Sequence, residues 1–210
     1  IDPNALTAQY GLDQTRYFLM REVPFGNDGD FSAAAITNRM NGDLANDLGN
    51  LCQRVLSMIF KNCDCVMPAL PERLFESDHK LLSAADGLLD QVRDLLDRQA
   101  FNEALRVIWQ VVADANRYVD KYAPWALKKT DPARMAEVLA VLAETIRQIA
   151  ILIQPFMPQS ADIILDQLGV DTAKRDFSVI AGNGRLASGH QIDKPSPVFP
   201  RYIEEAGADD

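Results

Sequence analysis

The chain has 210 residues, of which 48% are hydrophobic, and it carries a formal charge of −9 from 21 basic and 30 acidic side chains. This length allows one substantial core, or one domain with an appendage. A protein that binds nucleic acids non-specifically, by neutralising phosphates, would be basic. The composition therefore excludes a general polyanion binder, and any nucleic-acid binding must rest on base contacts or a small basic patch.

The number and spacing of the cysteines indicate the redox compartment of the protein. Cys52, Cys63 and Cys65 are odd in number, and two of them lie two residues apart. This argues against a disulfide framework and for a reducing compartment.

The sequence shows neither a membrane-span pattern nor a leader, so we expect a cytoplasmic protein. Because it begins at Ile1, we also expect a cut inside a longer protein.

Residues 1–32 predict two short helices and an extended piece. Asp2, followed by proline, can open the first helix, and Gly11 can close it. Asp13 is predicted to cap the second helix, and Pro24 to stop it.

From residue 33 to about residue 170 the apolar residues follow a helical period. Ser32 and Asp43 are predicted N-caps of two helices near 33–41 and 43–61. Three long amphipathic segments and one short helix follow a proline-containing loop. The first segment covers residues 77–99, with Ser77 as its cap, and the second covers residues 101–123, which end before Pro124. The third covers residues 131–154, with Pro132 in its first turn, and the short helix covers residues 157–169 and is closed by Gly169. Long helices with modest connections predict an all-α helix bundle.

Beyond Val170 the composition changes. Residues 171–210 are rich in glycine and proline and show no helical period. We expect short strands and an ordered tail there, with a frayed end at residues 207–210.

The sequence offers no catalytic or metal-binding constellation. His79 and His190 lie far apart, and neither has a cysteine at ligand spacing. Cys63 and Cys65 lack the second ligand pair of a structural zinc site, so free thiols near a helix end are the simpler interpretation. The glycines near residue 28 lack the Lys-Ser/Thr of a phosphate-binding loop. We therefore predict no catalytic residue and no metal ligand.

A polar row stands out on the predicted helix 43–61. Asn46, Asn50 and Arg54 recur at four-residue spacing, opposite a leucine-rich face. Asparagine is a poor helix former, and the row lacks the acid–base pairs that support a solvated helix. Amides and a guanidinium are suited to hydrogen bonding with base edges. The spacing leaves both possibilities open, a base-reading face and a solvated one.

A second feature is the aromatic and basic stretch at residues 116–129. Trp125 follows Pro124 at a helix junction, whereas Trp109 lies within an amphipathic face and is predicted to be core. Rings and cations together are what single-stranded RNA recognition uses. The alternative is a packed indole among solvated lysines. The basic residues are Arg117, Lys121, Lys128, Lys129 and Arg134, against the acids Asp120 and Asp131.

Four stretches together carry a family resemblance. In chain order they are YGLDQTRYFLMREVPFGNDGDFS, NRMNGDLANDLGNLCQR, NRYVDKYAPWALKK and PSPVFPRYI. This combination resembles the C-terminal part of the methionyl-tRNA synthetase family, over nearly the whole chain. The related synthetases for isoleucine, leucine, valine and cysteine share the bundle type and are the alternative within class I.

The resemblance implies a division of labour. Residues 1–32 would be a stem-contact segment that follows the KMSKS loop, residues 33–170 the anticodon-binding bundle, and residues 171–210 a tail that folds back on the bundle. By position, the resemblance assigns anticodon contacts to Asn46, Asn50, Arg54, Pro124 and Trp125. It places Arg117, Lys121, Lys128 and Lys129 near the tRNA.

The resemblance also implies what the chain lacks. The catalytic domain with its ATP site is absent from this sequence, so we expect no cofactor here and no methionine activation by the chain alone. The parent ligase would use ATP and Mg²⁺ and would act on tRNA(Met), with no membrane or DNA partner. The rival from another class is a helical protein-interaction bundle, which would present an exposed apolar groove instead of a polar row.

Overall fold

A computed structural model describes residues 2–23, 31–180 and 184–203 of the chain. Within these ranges the chain is mainly helical, so the all-α prediction is confirmed. The predicted stop at Pro24 and the predicted frayed end at 207–210 lie outside the described residues. Among the described residues, no helix combines the length and apolarity needed to cross a bilayer.

Two short helices begin the chain. Helix α1 spans Pro3–Tyr10, with the Asp2 side chain capping its start and Gly11 at φ 93° ending it, as predicted. Helix α2 spans Leu12–Glu22, and Asp13 lies in its first turn, so the prediction that Asp13 caps α2 is wrong. Instead, the buried Asp13 carboxylate accepts a hydrogen bond of 2.6 Å from the Ser160 backbone and caps a later helix.

The next helical run is continuous where two helices were predicted. Helix α3 (Ala33–Arg39) starts at its predicted Ser32 cap and continues through a π-helical segment (Met40–Gly49) into helix α4 (Asn50–Asn62). The prediction that Asp43 caps a new helix is wrong, because the helical run continues through Asp43 and its carboxylate binds side chains instead of the backbone. It accepts hydrogen bonds from the Tyr17 hydroxyl at 2.7 Å and from Arg39 at 3.1 Å.

The segment predicted as one helix over 77–99 is divided in two. Helix α5 spans Glu76–Asp86 and helix α6 spans Leu88–Asp97, with Gly87 between them. Phe75, rather than Ser77, is the residue before the first turn of α5, because the Asp78 carboxylate turns back to accept from the Phe75 backbone. A glycine inside a helical pattern weakens the helix, which accounts for the break.

Helices α7 to α10 follow the predicted pattern and add one short element. Helix α7 is Phe101–Tyr122, and the left-handed residue Ala123 (φ 42°) ends it before Pro124. The chain then forms α8 (Pro124–Thr130), a helix that the sequence pattern did not predict. The last two helices are α9 (Pro132–Ile153) and α10 (Pro158–Gln167).

The tail contains two 3₁₀ turns, Thr172–Lys174 and Phe177–Val179, and runs back over the helices. In the part of the tail that the structure describes, strand pairing is limited to an isolated bridge between Val66 and Gln191. The predicted short strands are therefore wrong. The tail's backbone bonds instead with loop and helix groups, as where Asn41 exchanges two hydrogen bonds with the Tyr202 backbone.

Helix α9 forms the centre of the core. Every residue from Val138 to Ile153 is buried, and helices α4, α5, α7, α8 and α10 all pack against α9. A helix that is apolar nearly all round is stable only when other elements cover it. A smaller apolar cluster joins the first two helices to α3 and the π segment. It consists of Tyr10, Phe18, Ile36 and Met40.

A buried ion network attaches the tail to α9. Glu144 and Arg147 are both buried, and Arg147 donates to both oxygens of Glu144 at 2.8 Å. Arg147 also donates to the Ile180 carbonyl at 2.7 Å, while Glu144 accepts from Arg185 at 3.2 Å. Because these charges satisfy tail groups as well as each other, the network fixes where the tail crosses the bundle.

Removing Glu144 should therefore destabilise the fold strongly. We expect Glu144→Ala to lower the free energy of unfolding by about 3–5 kcal/mol, because it leaves the buried Arg147 charge without its partner. The matched control is Glu103→Ala, since Glu103 and Arg106 form an exposed pair at the same i,i+3 spacing. That control should cost at most about 1 kcal/mol. Urea unfolding of both variants measures the difference, and equal small losses would contradict the role of the network.

Candidate nucleic-acid interface

The polar row lies on the exposed side of the π segment and α4. Asn46 and Asn50 are exposed, while Leu44, Leu48 and Leu51 are buried. Within the described residues, neither amide side chain makes a hydrogen bond to the protein. Asn46 lies inside the π segment and Asn50 directly follows it, so the row departs from ideal α-helical spacing. Both amides are free to bind an outside ligand.

Arg54 joins the polar row to Trp125. Its guanidinium lies 5.1 Å from the centre of the Trp125 ring, and Nη2 donates to Asp120 at 2.7 Å. Trp125 is 47% exposed, so its ring is not sealed inside the bundle. The last residue of the predicted row and the predicted stacking ring therefore share one surface, between α4, α7 and α8.

The local backbone explains why Trp125 is exposed at this place. The left-handed conformation of Ala123 reverses the chain after α7, and the buried Pro124 starts α8 in the first turn. Proline is well suited to this position, because its missing N–H would have no partner there. Pro124 thus fixes where α8 begins, directly before Trp125, and its burial keeps it from direct contact with a ligand. Trp109, by contrast, is buried and donates to the Asp43 carbonyl at 3.2 Å, as expected of a core residue.

Asn116 is a residue that the sequence analysis did not single out. Its Nδ2 donates to the Asp47 carbonyl at 3.3 Å and to the Val112 carbonyl at 3.2 Å. It therefore ties α7 to the π segment beside Asn46. The feature of the sequence that could have identified Asn116 is its i,i+4 spacing from Asp120. This spacing places both residues on the same side of α7, which in the structure faces the polar row. Burial raises the pKa of the neighbouring Asp47 carboxyl, and Asp43 raises it further.

The predicted basic patch is divided between two places. Arg117 and Lys121 are exposed on α7, and Lys128 and Lys129 are exposed on α8. Arg117 forms an ion pair with Asp114 on its own helix. Arg134 does not belong to the patch, because its side chain is only 11% exposed and is bound to Asp78.

The Arg134–Asp78 ion pair, together with Tyr118, connects helices α9, α5 and α7. Arg134 donates to both Asp78 oxygens at 2.6 and 2.7 Å, and the Tyr118 hydroxyl donates to Asp78 at 2.7 Å. Burial alone would raise the pKa of the Asp78 carboxyl, but the hydrogen bonds from Arg134 and Tyr118 outweigh it and lower that pKa. Burial and the bond to Asp78 raise the pKa of Tyr118 well above its usual range.

No metal site is formed by the residues that the structure describes. Among them, no group of three or more His, Cys, Asp and Glu side chains is arranged to hold an ion. Cys52, Cys63 and Cys65 are free thiols, and burial raises the pKa of Cys52 to about 12. His190 instead contacts the Leu168 carbonyl at 2.8 Å.

Sequence comparisons connect this surface with known families. Residues 71–209 match the family described as the anticodon binding domain of methionyl tRNA ligase. Residues 1–56 match the family of class I tRNA synthetases (M). The chain is 54% identical to the methionine–tRNA ligase of Brucella suis over 97% of its length, and 51% identical to that of Rhizobium meliloti over 97%. It spans 39% of the length of each relative.

Structural comparison agrees with the sequence matches. The apo form of Mycobacterium tuberculosis methionyl-tRNA synthetase superposes with a TM-score of 0.94 and 47% identity, covering 98% of this chain and 42% of that one. The same synthetase in complex with methionyl-adenylate gives a TM-score of 0.92, covering 96% of this chain and 40% of that one.

The lowered pKa of Asp78 predicts how the stability of the fold depends on pH. Because the folded-state pKa of Asp78 is lowered, its contribution to stability is present above the unfolded value near pH 4 and is lost as pH falls through the folded value. We expect Asp78→Asn to cost about 1.5–3 kcal/mol of unfolding free energy at pH 7. The cost should shrink towards pH 3.

Urea unfolding of Asp78→Asn and wild type between pH 7 and pH 3 measures this. Asp114→Asn is the control, because Asp114 pairs with Arg117 at the surface. A cost that stays constant over the whole pH range would show that the Asp78 charge does not stabilise the fold.

Proposed function

The chain belongs to the family of methionyl-tRNA ligase anticodon-binding domains, and on that premise we propose that its helix bundle binds the anticodon loop of a tRNA. The residues proposed for this are Asn46, Asn50 and Arg54 on the helix, and Trp125 on α8. The observation that carries the proposal is the Arg54–Trp125 contact on an open surface, with Asn50 one helical turn before Arg54.

Each side chain has a chemical task in this proposal. Trp125 offers a half-exposed ring on which an unpaired base can stack. The Asn50 amide has a donor and an acceptor side by side, and single-stranded bases expose their Watson–Crick edges to such groups. Arg54 lies between the two, so it can donate to a base edge while its guanidinium remains against the indole. Asn46 extends the same row, and the buried Pro124 starts the helix that carries the ring.

The charge of the protein supports base reading over phosphate attraction. The formal net charge is −9, whereas α8, the helix that carries the ring, also carries the exposed cations Lys128 and Lys129. Phosphates position a nucleic acid without carrying sequence information. Non-cognate tRNAs share every phosphate with the cognate one, so weak general attraction favours discrimination by the anticodon. We propose tRNA(Met), with its CAU anticodon, as the cognate partner.

The activity of the longer protein is a further part of the proposal. The relatives are named methionine–tRNA ligases, and this chain spans 39% of the length of the first of them. We propose that the chain is the tRNA-recognition part of such a ligase, which would activate methionine with ATP and Mg²⁺. The described residues contain no cluster that fits a metal ion, so no step of that chemistry is assigned to them.

The division of the chain follows the same proposal. Residues 1–32 would be the stem-contact segment, residues 33–170 the anticodon-binding bundle, and residues 171–210 the returning tail. Supporting contacts exist at both ends, because Tyr17 of α2 packs 4.7 Å from Trp109 in the core and Arg147 holds the tail.

Replacing Trp125 tests the stacking role. We expect Trp125→Ala to weaken binding of an anticodon stem-loop by about 1–3 kcal/mol, the usual contribution of one stacked base. Trp125→Phe keeps an aromatic face and should retain part of the affinity. Fluorescence anisotropy with a labelled methionine stem-loop measures both variants. If Trp125→Ala binds as tightly as wild type, the ring does not stack on RNA.

Replacing Asn50 and Arg54 tests base reading. We expect Asn50→Ala and Arg54→Gln to narrow the affinity gap between the methionine stem-loop and one with a scrambled loop, because each good base contact discriminates by about 1–3 kcal/mol. Thermal unfolding should change little, since both side chains lie at the surface. Lys61→Gln, at the far end of α4, is the control and should leave the gap intact. A lower melting temperature with an unchanged gap would indicate a structural role instead.

A further inference from the structure

A second groove lies on the other side of α7. One side of α7 faces the polar row, through Asn116 and Asp120. The opposite side faces α5, and between the two helices is a cavity of ≈ 220 Å³. Its lining includes Ser77, Lys80, Leu81, Arg117, Tyr118 and Lys121. Since a helix with its side chains is only about 10–12 Å across, the groove lies one helix width from the Arg54–Trp125 surface.

The charge of this groove is positive although the protein is acidic. Lys80, Arg117 and Lys121 are exposed along it, and Asp114 is the acid in its lining. Asp114 is already paired with Arg117, and the Lys121 ammonium lies 5.3 Å from the centre of the Tyr122 ring. The two lysines make no ion pair within the described part of the chain. Their charges are therefore available to an anionic ligand.

An exposed aromatic ring lies in a separate cleft next to this groove, because Phe75 lines that cleft together with Tyr122, whose hydroxyl contacts Ser77 of the groove. Phe75 is 58% exposed, and the Arg134 guanidinium lies 4.4 Å from the centre of its ring. Arg134 is fixed by Asp78 and is also 5.2 Å from the Tyr122 ring centre. The Phe75 ring is therefore supported on one side by an immobile cation and open to solvent elsewhere. This is the arrangement of a stacking platform, since little side-chain entropy remains to be lost on binding.

The acidic residues around Phe75 give its cleft a different ligand preference from that of the lysine groove. Asp131 and Glu137 line the cleft beside the ring, and Arg134 is neutralised by Asp78 and Glu137. A phosphate would be repelled there, whereas an uncharged base would not. The lysine groove has the opposite character, so it suits phosphates. Bases on a ring and phosphates on cations, side by side, are what single-stranded nucleic acids require.

We propose that Phe75 and the α5–α7 groove form a second RNA-binding surface, which takes unpaired nucleotides of the anticodon loop beyond those that contact Trp125. Phe75 stacks one base, and Lys80, Arg117 and Lys121 bind the phosphates of the same strand. The inference rests on the proposed anticodon function and extends it across α7. It also gives Arg117 and Lys121 a different task from Lys128 and Lys129 on α8.

The test measures stem-loop binding to the whole 210-residue chain at several salt concentrations. Lys80→Gln with Lys121→Gln should reduce the slope of log K against log salt by about 1.4, because each single-strand phosphate contact contributes about 0.7. Phe75→Leu keeps the apolar volume but removes the ring, and should raise the Kd at least about fivefold. Thermal unfolding checks that each variant is folded.

The matched control residues lie in the tail, which follows α10 in the sequence. Lys174→Gln with Lys194→Gln removes the same two charges from exposed positions, and Phe177→Leu changes another exposed ring. Both should bind like wild type. If Trp125→Ala weakens binding while the salt slope of the Lys80/Lys121 variant or the Kd of Phe75→Leu stays at the wild-type value, the second surface is wrong and the anticodon proposal stands. If Trp125→Ala is also without effect, both proposals fall.

Discussion

The burial of α9 is the constraint on which the rest of the structure depends. Its residues from Val138 to Ile153 have no exposed side, so the surrounding helices must cover it completely. Helices α4, α7 and α8 all pack against it, and these three carry Arg54, Asp120 and Trp125. The surface groups therefore owe their spacing to a shared apolar core rather than to contacts with each other. Close packing makes such a core resist small displacements, so it holds Arg54 and Trp125 in their relative positions.

The polar contacts at the ends of α9 extend this constraint to the ends of the chain. Arg16 of α2 donates to the Pro155 and Phe156 carbonyls at 2.7 and 2.9 Å, just after α9 ends. Asp13 caps α10, and Arg147 binds the backbone of the tail. Each contact supplies a partner to backbone groups at a helix end or in the tail. The first two helices and the tail are thus attached to the same central helix, from opposite ends of the sequence.

The sequence predicted those features that depend on neighbouring residues. The Asp2 and Ser32 caps, the stop before Pro124 and the start at Pro132 all follow from local backbone chemistry. Errors arose where distant partners decide. Asp43 was predicted as a cap, but its carboxylate accepts a hydrogen bond from Tyr17, 26 residues earlier in the chain. Arg134 was counted as a free cation because Asp78 lies 56 residues away in the chain.

The candidate site was predictable to a similar extent. Periodicity identified the polar row, and composition identified the basic stretch, because each consists of residues that lie close together in the sequence. The contact between Arg54 and Trp125 was not predictable from spacing, because it depends on the reversal at Ala123 and on the packing of α8. Phe75 carried no signal in the sequence, as a lone aromatic before a helix is ordinarily core. Its exposure follows from Arg134, which occupies the place beneath the ring.

In the proposed complex with an anticodon loop, the Arg54–Asp120 pair would contribute to discrimination between bases. Asp120 is 65% exposed, so its ion pair with Arg54 stabilises the protein by at most about 1 kcal/mol. The pair orients the guanidinium along the Trp125 ring without binding it tightly. In the proposed complex, a base that stacks on the indole and accepts a hydrogen bond from Arg54 would compete only against this weak partner. A base without an acceptor at that position would gain no hydrogen bond from Arg54. The exposed Asp120 would thus favour bases that can accept a hydrogen bond from Arg54, which is the kind of selection among polyanions that the proposed function requires of an acidic protein.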